Sequence, residues 1–182
     1  PPTPDRSSAA SDVYKRQHVG LSNENPWGIM RFLEEAKNDL PKMITVQNSY
    51  SLLNRQYEVG NAEISMRENV GLLAYSPLAC GVLSGKYING TDQPNSRLNL
   101  FKRFVRYSSD QSTEATRRYL NLAQQFNISL TKMALAFVNQ QPFVTSNIIG
   151  ATTLSQLGEN IESINVELSS TLLAEIEKIH QE

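Results

Sequence analysis

Four short apolar runs, each followed by polar residues and then by a segment with helical periodicity, constrain the fold of this chain more than any other feature. Strands that alternate with helices form parallel sheets, and apolar runs without strict alternation suit strands buried on both faces. The sequence therefore predicts an α/β fold of about four parallel strands joined by crossover helices. The predicted strands lie at 19–21, 43–46, 70–75 and 144–149.

Apolar residues spaced three and four positions apart predict six helices between and after these strands. Asn25 is a typical N-cap residue ahead of a proline at the first helical position. In the second helix, Val59, Ala62 and Met66 are predicted to face the core, whereas residues 77–111 are predicted to be irregular. The predicted helices span 26–38, 56–68, 113–126, 131–140, 153–163 and 170–180.

Composition excludes several classes of protein. The chain has 182 residues, of which 40% are hydrophobic and 19% are charged, and its formal net charge is −1. It lacks the basic surplus of a nucleic-acid-binding domain, and no apolar run approaches the roughly 20 residues of a membrane span. The single cysteine, Cys80, excludes an internal disulfide framework, and His18 and His180 have no partners at metal-ligand spacing. We therefore expect a globular cytoplasmic protein that binds neither nucleic acid nor membrane.

The first 17 residues differ from the rest, because they combine three prolines and three serines with no apolar periodicity. A disordered tail is one explanation, since disorder concentrates at termini, and a scar of sequence assembly is the other. We favour the scar and assign this segment no function. The predicted domain then covers residues 18–182.

Polar, uncharged residues stand at the carboxyl ends of all four predicted strands, where parallel α/β folds bind their ligands. Such groups suit a neutral amide and a phosphate better than a metal ion, although polar residues are common in loops of any function. The residues concerned are Ser22 and Asn23, Gln47 and Asn48, Tyr75 to Pro77, and Gly150 to Thr153.

The segment from Gly81 to Tyr87 is similar in composition to a phosphate-binding loop but is not a P-loop. Only three residues separate Gly81 from Gly85, and Tyr87 replaces the hydroxyl residue that a P-loop uses for Mg²⁺. The loop can still bind a phosphate through backbone N–H groups and Lys86, or Lys86 can be an ordinary solvated lysine. A basic patch, from Arg97 to Arg106, is either a solvated surface or an anion clamp over the strand ends.

Four sequence motifs, in order along the chain, resemble the C-terminal half of the aldo-keto reductase family. They are GLSN at 20–23, VQNSYSLLNR at 46–55, LAYSPLACGVLSGKY at 73–87 and IGATTLSQLGENI at 149–161. The resemblance covers about nine-tenths of the chain, and it is strongest to the branch of Tas-like reductases and potassium-channel β subunits. It implies that the four strands are the fifth to eighth of a (β/α)₈ barrel, a fold that typically needs about 250 residues.

The resemblance also implies an NADP(H)-dependent carbonyl reductase and assigns cofactor contacts. The nicotinamide carboxamide would be held by Ser22, Asn23 and Gln47, and Tyr75 would stack under the ring. The pyrophosphate would be wrapped by Ser76, Leu78, Cys80 and Lys86. The adenosine end would be met by Arg97, Thr152, Gln156, Glu159 and Asn160. The neighbouring Pro77, Ala79, Gly150 and Thr153 complete the predicted cofactor site. Preference for NADP over NAD stays open, because many family members have a basic residue in place of Gln156.

The family's catalytic Tyr, Lys, Asp and His belong to the first four strands, which have no match in this sequence. We therefore expect no catalytic residue here and no reductase activity from this chain alone, whereas the full-length protein would reduce a small-molecule carbonyl substrate. A non-catalytic, NADP(H)-sensing regulatory subunit and an interaction module are the alternatives. Half a barrel leaves unpaired strand edges at 19–22 and 144–149, so self-association is expected.

Overall fold

A computed structural model describes residues 17–88, 97–100 and 106–181, and it arranges them around one parallel four-stranded sheet. The strands are β1 (Val19–Ser22), β2 (Met43–Ser49), β3 (Gly71–Tyr75) and β4 (Val144–Asn147). Their spatial order is β1-β2-β3-β4, and each neighbouring pair is parallel. The expected α/β fold is confirmed as a partial TIM barrel. In the part of the chain that the structure describes, the sheet is not closed.

Helices connect the strands and follow the last one. They are α1 (Pro26–Glu35), α2 (Asn61–Glu68), α3 (Arg97–Leu100), α4 (Asp110–Gln125), α5 (Leu130–Asn139), α6 (Leu154–Glu162) and α7 (Ser170–Gln181). Short 3₁₀ segments occupy Gln56–Glu58, Ala79–Ser84 and Ser163–Asn165. The predicted cap of α1 is confirmed, because Asn25 Oδ1 accepts a hydrogen bond from the Gly28 amide at 2.9 Å.

The second predicted helix differs from its observed counterpart. Gly60 has φ +95°, so the chain leaves the 3₁₀ turn there and α2 begins only at residue 61. Val59 is 77% exposed and Met66 is 56% exposed, and only Ala62 of the predicted core-facing set is buried. The prediction that Val59 and Met66 face the core was wrong. Val59 precedes the interruption at Gly60, so it does not share a helical face with Ala62, whereas Met66 lies within α2 and is exposed there.

The two faces of the sheet have different surroundings. Val46, Leu72 and Ala74 are fully buried and belong to the core with Met133 of α5. Side chains alternate between the faces along each strand, and Gln47, which follows the buried Val46 and points to the opposite face, is exposed. The strands were expected to be buried on both faces, but they are buried only on the face that the helices cover. The opposite face is exposed because four strands do not close around it.

We propose that the open edges of β1 and β4 make this chain self-associate. Ile161 and Ile164, which are 57% and 67% exposed, line a cavity beside β4 and add apolar surface to that edge. Sedimentation velocity over a range of concentrations should show reversible growth beyond the monomer. The double variant Ile161→Lys/Ile164→Lys should reduce this growth, whereas Val59→Lys should not. A monodisperse monomer at every concentration would contradict the proposal.

The close contact of β3 with β4 depends on a glycine. A Cβ atom added at Gly71 would overlap Thr145 Oγ1 and would lie 2.9 Å from Thr145 Cβ. We expect Gly71→Ala to lower the free energy of unfolding by about 1–3 kcal/mol, the usual range for overpacking. Urea unfolding measures the change.

Gly158→Ala provides the matched control, because nothing lies within 4 Å of an added Cβ at this position of α6. This substitution should be neutral or stabilising by up to about 1 kcal/mol, as alanine is the better helix former. In the Gly71→Ala background, Thr145→Gly should restore part of the lost stability. Equal effects of the two alanine variants would mean that the contact with Thr145 does not limit this position.

Candidate functional site

The loop that follows β3 has an unusual backbone. Ser76, Ala79 and Cys80 have φ values of +55°, +48° and +59°, and Gly81 follows with φ +92°. Residues with side chains seldom adopt these values, and strained backbone of this kind concentrates at functional sites. The turn is closed by hydrogen bonds from the amides of Gly81 and Leu83 to the Leu78 carbonyl, at 2.8 and 3.2 Å.

This loop faces the segment after β4 across a cavity of about 480 Å³ at the carboxyl ends of the two strands. The cavity brings together most of the predicted phosphate and adenosine contacts. Those that line it are Tyr75, Ser76, Pro77, Leu78, Cys80, Lys86, Gly150, Thr152 and Gln156. Gly81 and Ala151 also line it, and they belong to the predicted phosphate-binding segment and to the predicted strand end after β4. Ile148 and Ile149, which the sequence did not indicate, complete the wall.

Lys86 is half-buried in this wall, which distinguishes it from an ordinary solvated lysine. Its ammonium group lies 5.1 Å from the centroid of the Tyr87 ring, a distance typical of a cation–π contact. A Cβ added at Gly81 would lie 3.3 Å from the Lys86 Nζ atom. The glycine therefore leaves room for the ammonium group to approach the backbone of the turn.

The opposite wall is held by a local hydrogen-bond pattern at the start of α6. Gln156 Oε1 accepts hydrogen bonds from both the backbone amide and the hydroxyl of Thr152, each at 3.0 Å. Thr153 does not line the cavity but caps the helix, because its hydroxyl accepts from the Gln156 amide at 3.2 Å. Asn160 is buried, and its Nδ2 donates to the Gly150 carbonyl at 3.3 Å.

Three of the predicted contacts have other surroundings. Glu159 accepts a hydrogen bond from the Ser129 hydroxyl at 2.6 Å and lines a different cavity. Ala79 is fully buried under the turn. The side chain of Arg97 lies outside the described part of the chain, although its backbone begins α3.

The predicted nicotinamide contacts lie together at the ends of β1, β2 and β3. The Tyr75 hydroxyl donates to Asn23 Oδ1 at 2.7 Å, and the Asn23 amide donates to the Gln47 carbonyl at 3.0 Å. Asn23 Nδ2 also lies 3.3 Å from the Ser22 hydroxyl. Ser22, Asn23 and Gln47 are exposed. Tyr75 therefore joins this group to the cavity that Lys86 lines.

A second cavity, of about 630 Å³, lies on the other side of Tyr75 and was not predicted. Arg106 is among its lining residues, at the end of the basic patch that the sequence offered as an anion clamp. Hydrogen bonds to the hydroxyls of Tyr107 and Tyr75 raise the pKa of the Arg106 guanidinium. The signal that would have found the cavity is the abundance of asparagine after β1 and β2.

Sequence reasoning also missed a charged cluster in the loop after β2. The Arg55 guanidinium donates to Glu58 at 2.7 Å and to Glu177 of α7 at 2.6 Å, and it lies 5.4 Å from the centroid of the Phe137 ring. Burial lowers the pKa of Arg55, but the hydrogen bonds to Glu58 and Glu177 outweigh burial, so the net pKa is raised. The hydrogen bond to Arg55 lowers the pKa of Glu177. The cluster is structural, because it joins two distant segments under the sheet.

The sequence profile of the aldo/keto reductase family matches residues 15–181, so the chain belongs to this family. Protein tas of Escherichia coli K12 is 52% identical over 168 residues, which are 92% of this chain and 49% of that protein. L-glyceraldehyde 3-phosphate reductase of the same strain is 34% identical over 171 residues, 90% of this chain and 49% of that protein. A probable voltage-gated potassium channel subunit beta of Oryza sativa is 32% identical over 133 residues, 70% of this chain and 40% of that protein.

These similarities confirm the predicted branch of Tas-like reductases and channel β subunits. The chain spans about half the length of the first two of these relatives. The match begins at residue 15, slightly before the domain boundary predicted at residue 18, and residues 1–16 lie outside the described part of the chain. Among the residues that the structure describes, no helix has the length and apolar character needed to cross a membrane.

Proposed function

We propose that this chain binds NADP(H) and forms the cofactor half of an NADP(H)-dependent carbonyl reductase. The observation that carries the proposal is the cavity between the strained loop after β3 and the first turn of α6. One wall supplies backbone amides and Lys86, which suit a pyrophosphate. The other wall supplies the hydroxyl of Thr152 and the amide of Gln156, which suit a ribose and its phosphate.

The glycines of the cavity fit a ligand that approaches the backbone closely. Nothing lies within 4 Å of an added Cβ at Gly150, so this wall is open to a bound group. At Gly81, a Cβ would fill the space beside Lys86. Both features support binding of a phosphorylated ligand at the carboxyl ends of the strands, where α/β folds bind ligands generally.

The remaining residues extend the proposed site in both directions from the pyrophosphate. Tyr75 would supply a flat surface for the nicotinamide ring, while Ser22, Asn23 and Gln47 would hold its carboxamide and orient the ring. Asn160 lies four positions after Gln156 on α6, so the two share one helical face that would extend toward the adenine, whereas Glu159 faces the cavity beside Ser129. Arg97 would add a positive charge for the 2′-phosphate.

In the whole protein, NADPH would supply a hydride to the carbon of a carbonyl substrate. The part of this chain is to bind the cofactor and to present one face of the nicotinamide ring. Proton transfer to the carbonyl oxygen needs a positioned acid, and no segment here matches the family's tyrosine motif. We therefore expect this chain alone to bind NADPH without reducing a carbonyl compound. Its proposed location is the cytoplasm, where a free thiol such as Cys80 stays reduced.

Titration of the chain with NADPH, followed by the emission of the reduced nicotinamide, tests the proposal. We expect saturable binding that Gly150→Trp abolishes, because an added Cβ at this position meets no atom and the indole beyond it would occupy the cavity. Gly158→Trp is the matched control, since an added Cβ there also meets no atom and the residue lies outside the proposed site. Absence of binding at millimolar NADPH, with the chain folded by circular dichroism, would overturn the proposal.

A regulatory role is the second candidate, and the similarity to a probable potassium channel subunit beta favours it. Both candidates use the same cofactor cavity, so cofactor binding does not separate them. Turnover of carbonyl compounds by the full-length protein does. A decrease in NADPH absorbance when an aldehyde is added supports the reductase function. Tight cofactor binding without turnover supports the regulatory role.

A further inference from the structure

The unpredicted cavity of about 630 Å³ lies at the carboxyl ends of β1, β2 and β3, and its lining is mainly polar, with Pro26, Leu53 and Val59 as its aliphatic members. It adjoins the cofactor cavity, because Tyr75 lines both. Under the proposed function, the nicotinamide end of the cofactor lies at this tyrosine, so the second cavity would adjoin that end of the cofactor. Its chemistry therefore bears on which carbonyl compounds the protein accepts.

Hydrogen bonds hold one side of this cavity in place. Asn48 Oδ1 accepts from the Glu24 amide at 3.2 Å, and Asn48 Nδ2 donates to the Glu24 carbonyl at 2.9 Å. Asn61 Nδ2 donates to the same carbonyl at 3.3 Å. Asn61 is only 5% exposed, and its Oδ1 has no hydrogen-bond partner among the described residues. These hydrogen bonds hold the Asn48 and Asn61 side chains at fixed positions in the wall of the cavity.

Charge is distributed unequally around the cavity. Glu24 and Arg106 are its charged lining residues, and the Glu24 carboxylate already accepts a hydrogen bond from the Asn25 amide at 2.9 Å. Arg106 is exposed and donates to the hydroxyls of Tyr75 and Tyr107. In the described ranges, no carboxylate pairs with Arg106. Two tyrosines thus orient a cation at the mouth of the cavity, and no carboxylate of the described residues neutralises its charge.

We propose that this cavity binds a small carbonyl compound that carries a carboxylate or a phosphate, and that Arg106 determines this specificity. The guanidinium presents a planar set of donors that matches either anion. Its position beside Tyr75 would hold the anionic end of the ligand while the carbonyl end faces the nicotinamide. The role as substrate site rests on the proposed function, whereas the preference for an anion does not.

Three benzaldehydes with the same ring and different para groups test the preference. They are 4-carboxybenzaldehyde, 4-formylphenyl phosphate and the neutral 4-formylbenzamide, and ligand-observed NMR titration measures their dissociation constants with and without NADP⁺. We expect at least one anionic aldehyde to bind about five- to tenfold more tightly than the neutral one, as a charge-assisted but exposed contact allows. The order of the two anions reports which group the cavity prefers.

Variants assign the preference to Arg106. Arg106→Gln should remove it and leave the affinity for 4-formylbenzamide unchanged, and Arg106→Lys should retain part of it. Arg67→Gln is the matched control, because Arg67 is an exposed arginine that pairs with Glu63 on α2. Equal affinity for all three aldehydes, no binding of any of them, or a preference that survives Arg106→Gln would overturn the inference.

The arms of this experiment separate the inference from the proposed function. A preference seen without NADP⁺ supports the anionic site even if the chain does not bind the cofactor. Cofactor binding with no preference for an anion overturns the inference and leaves the proposed function intact. Mutual strengthening of aldehyde and NADP⁺ binding supports both, because it requires the two cavities to hold their ligands side by side.

Discussion

Replacement of Arg55 by methionine is expected to lower the free energy of unfolding by about 3 kcal/mol, at the lower end of the range for removing one partner from a buried ion pair. The Arg55 side chain is only 11% exposed and bonds Glu58 and Glu177. Methionine preserves much of the apolar stem but leaves Glu58 with an uncompensated charge. The same carboxylate accepts a hydrogen bond from the buried Tyr50 hydroxyl at 2.5 Å. Urea unfolding at low protein concentration, with the slope against denaturant compared between variants, measures the change.

Arg31→Met is the control for this variant. Arg31 also contacts two carboxylates, Glu34 at 2.5 Å and Glu35 at 3.4 Å, but its side chain is 49% exposed. Pairs of this kind on a helix surface contribute about 0.5 kcal/mol or less. A large loss at Arg55 with a small loss at Arg31 attributes the effect to burial. Similar losses at the two positions would contradict the structural role assigned to the Arg55 cluster.

Replacement of Lys86 by methionine is expected to weaken NADPH binding about ten- to hundredfold. A hydrogen bond from a charged donor contributes roughly 1.5–3 kcal/mol, and the half-buried position of Lys86 reduces screening by solvent. Methionine has a similar length and no charge, so the cavity keeps most of its shape. Isothermal titration calorimetry of both proteins gives the ratio of dissociation constants.

The same titrations assign Lys86 to one part of the cofactor. A contact with the pyrophosphate should weaken NADPH and NADH by the same factor, because both carry that group. Gln156→Glu should instead weaken NADPH selectively, since a carboxylate would repel the 2′-phosphate. Lys37→Met, at an exposed position after α1, should change neither affinity. A selective loss of NADPH binding in Lys86→Met would move this lysine to the adenosine end of the site.

The variants of Lys86 and Arg55 test two features of the molecule, and the sequence indicated the first more completely than the second. Lys86 belongs to a motif of contiguous residues, and the motif could be recognised without any knowledge of tertiary structure. Arg55 also lies in a motif, but its partner Glu177 is 122 positions away in the chain. Nothing in the local pattern of either residue indicated that the C-terminal helix returns to the loop after β2.

Local properties were well determined by the sequence alone. The four strands, the polar residues at their carboxyl ends and the cap at Asn25 depend on neighbours within a few positions, and the parallel arrangement follows from the alternation of strands with helices. The exceptions have a local cause that was not recognised. Gly60 interrupts a helical pattern with its positive φ, and Val59 is exposed as a result.

Only the tertiary structure decided which of the polar strand ends share a cavity. Tyr75 and Lys86 face Thr152 and Gln156 because β3 and β4 are neighbours in the sheet, although about 70 residues separate them in the chain. Glu159 lies on the same helix as Gln156 but bonds Ser129 instead, since α5 packs against α6. The sequence therefore determined which elements form and which groups stand at their ends. Which of those groups meet was determined by the packing of helices and loops, and no short stretch of the sequence indicates that packing.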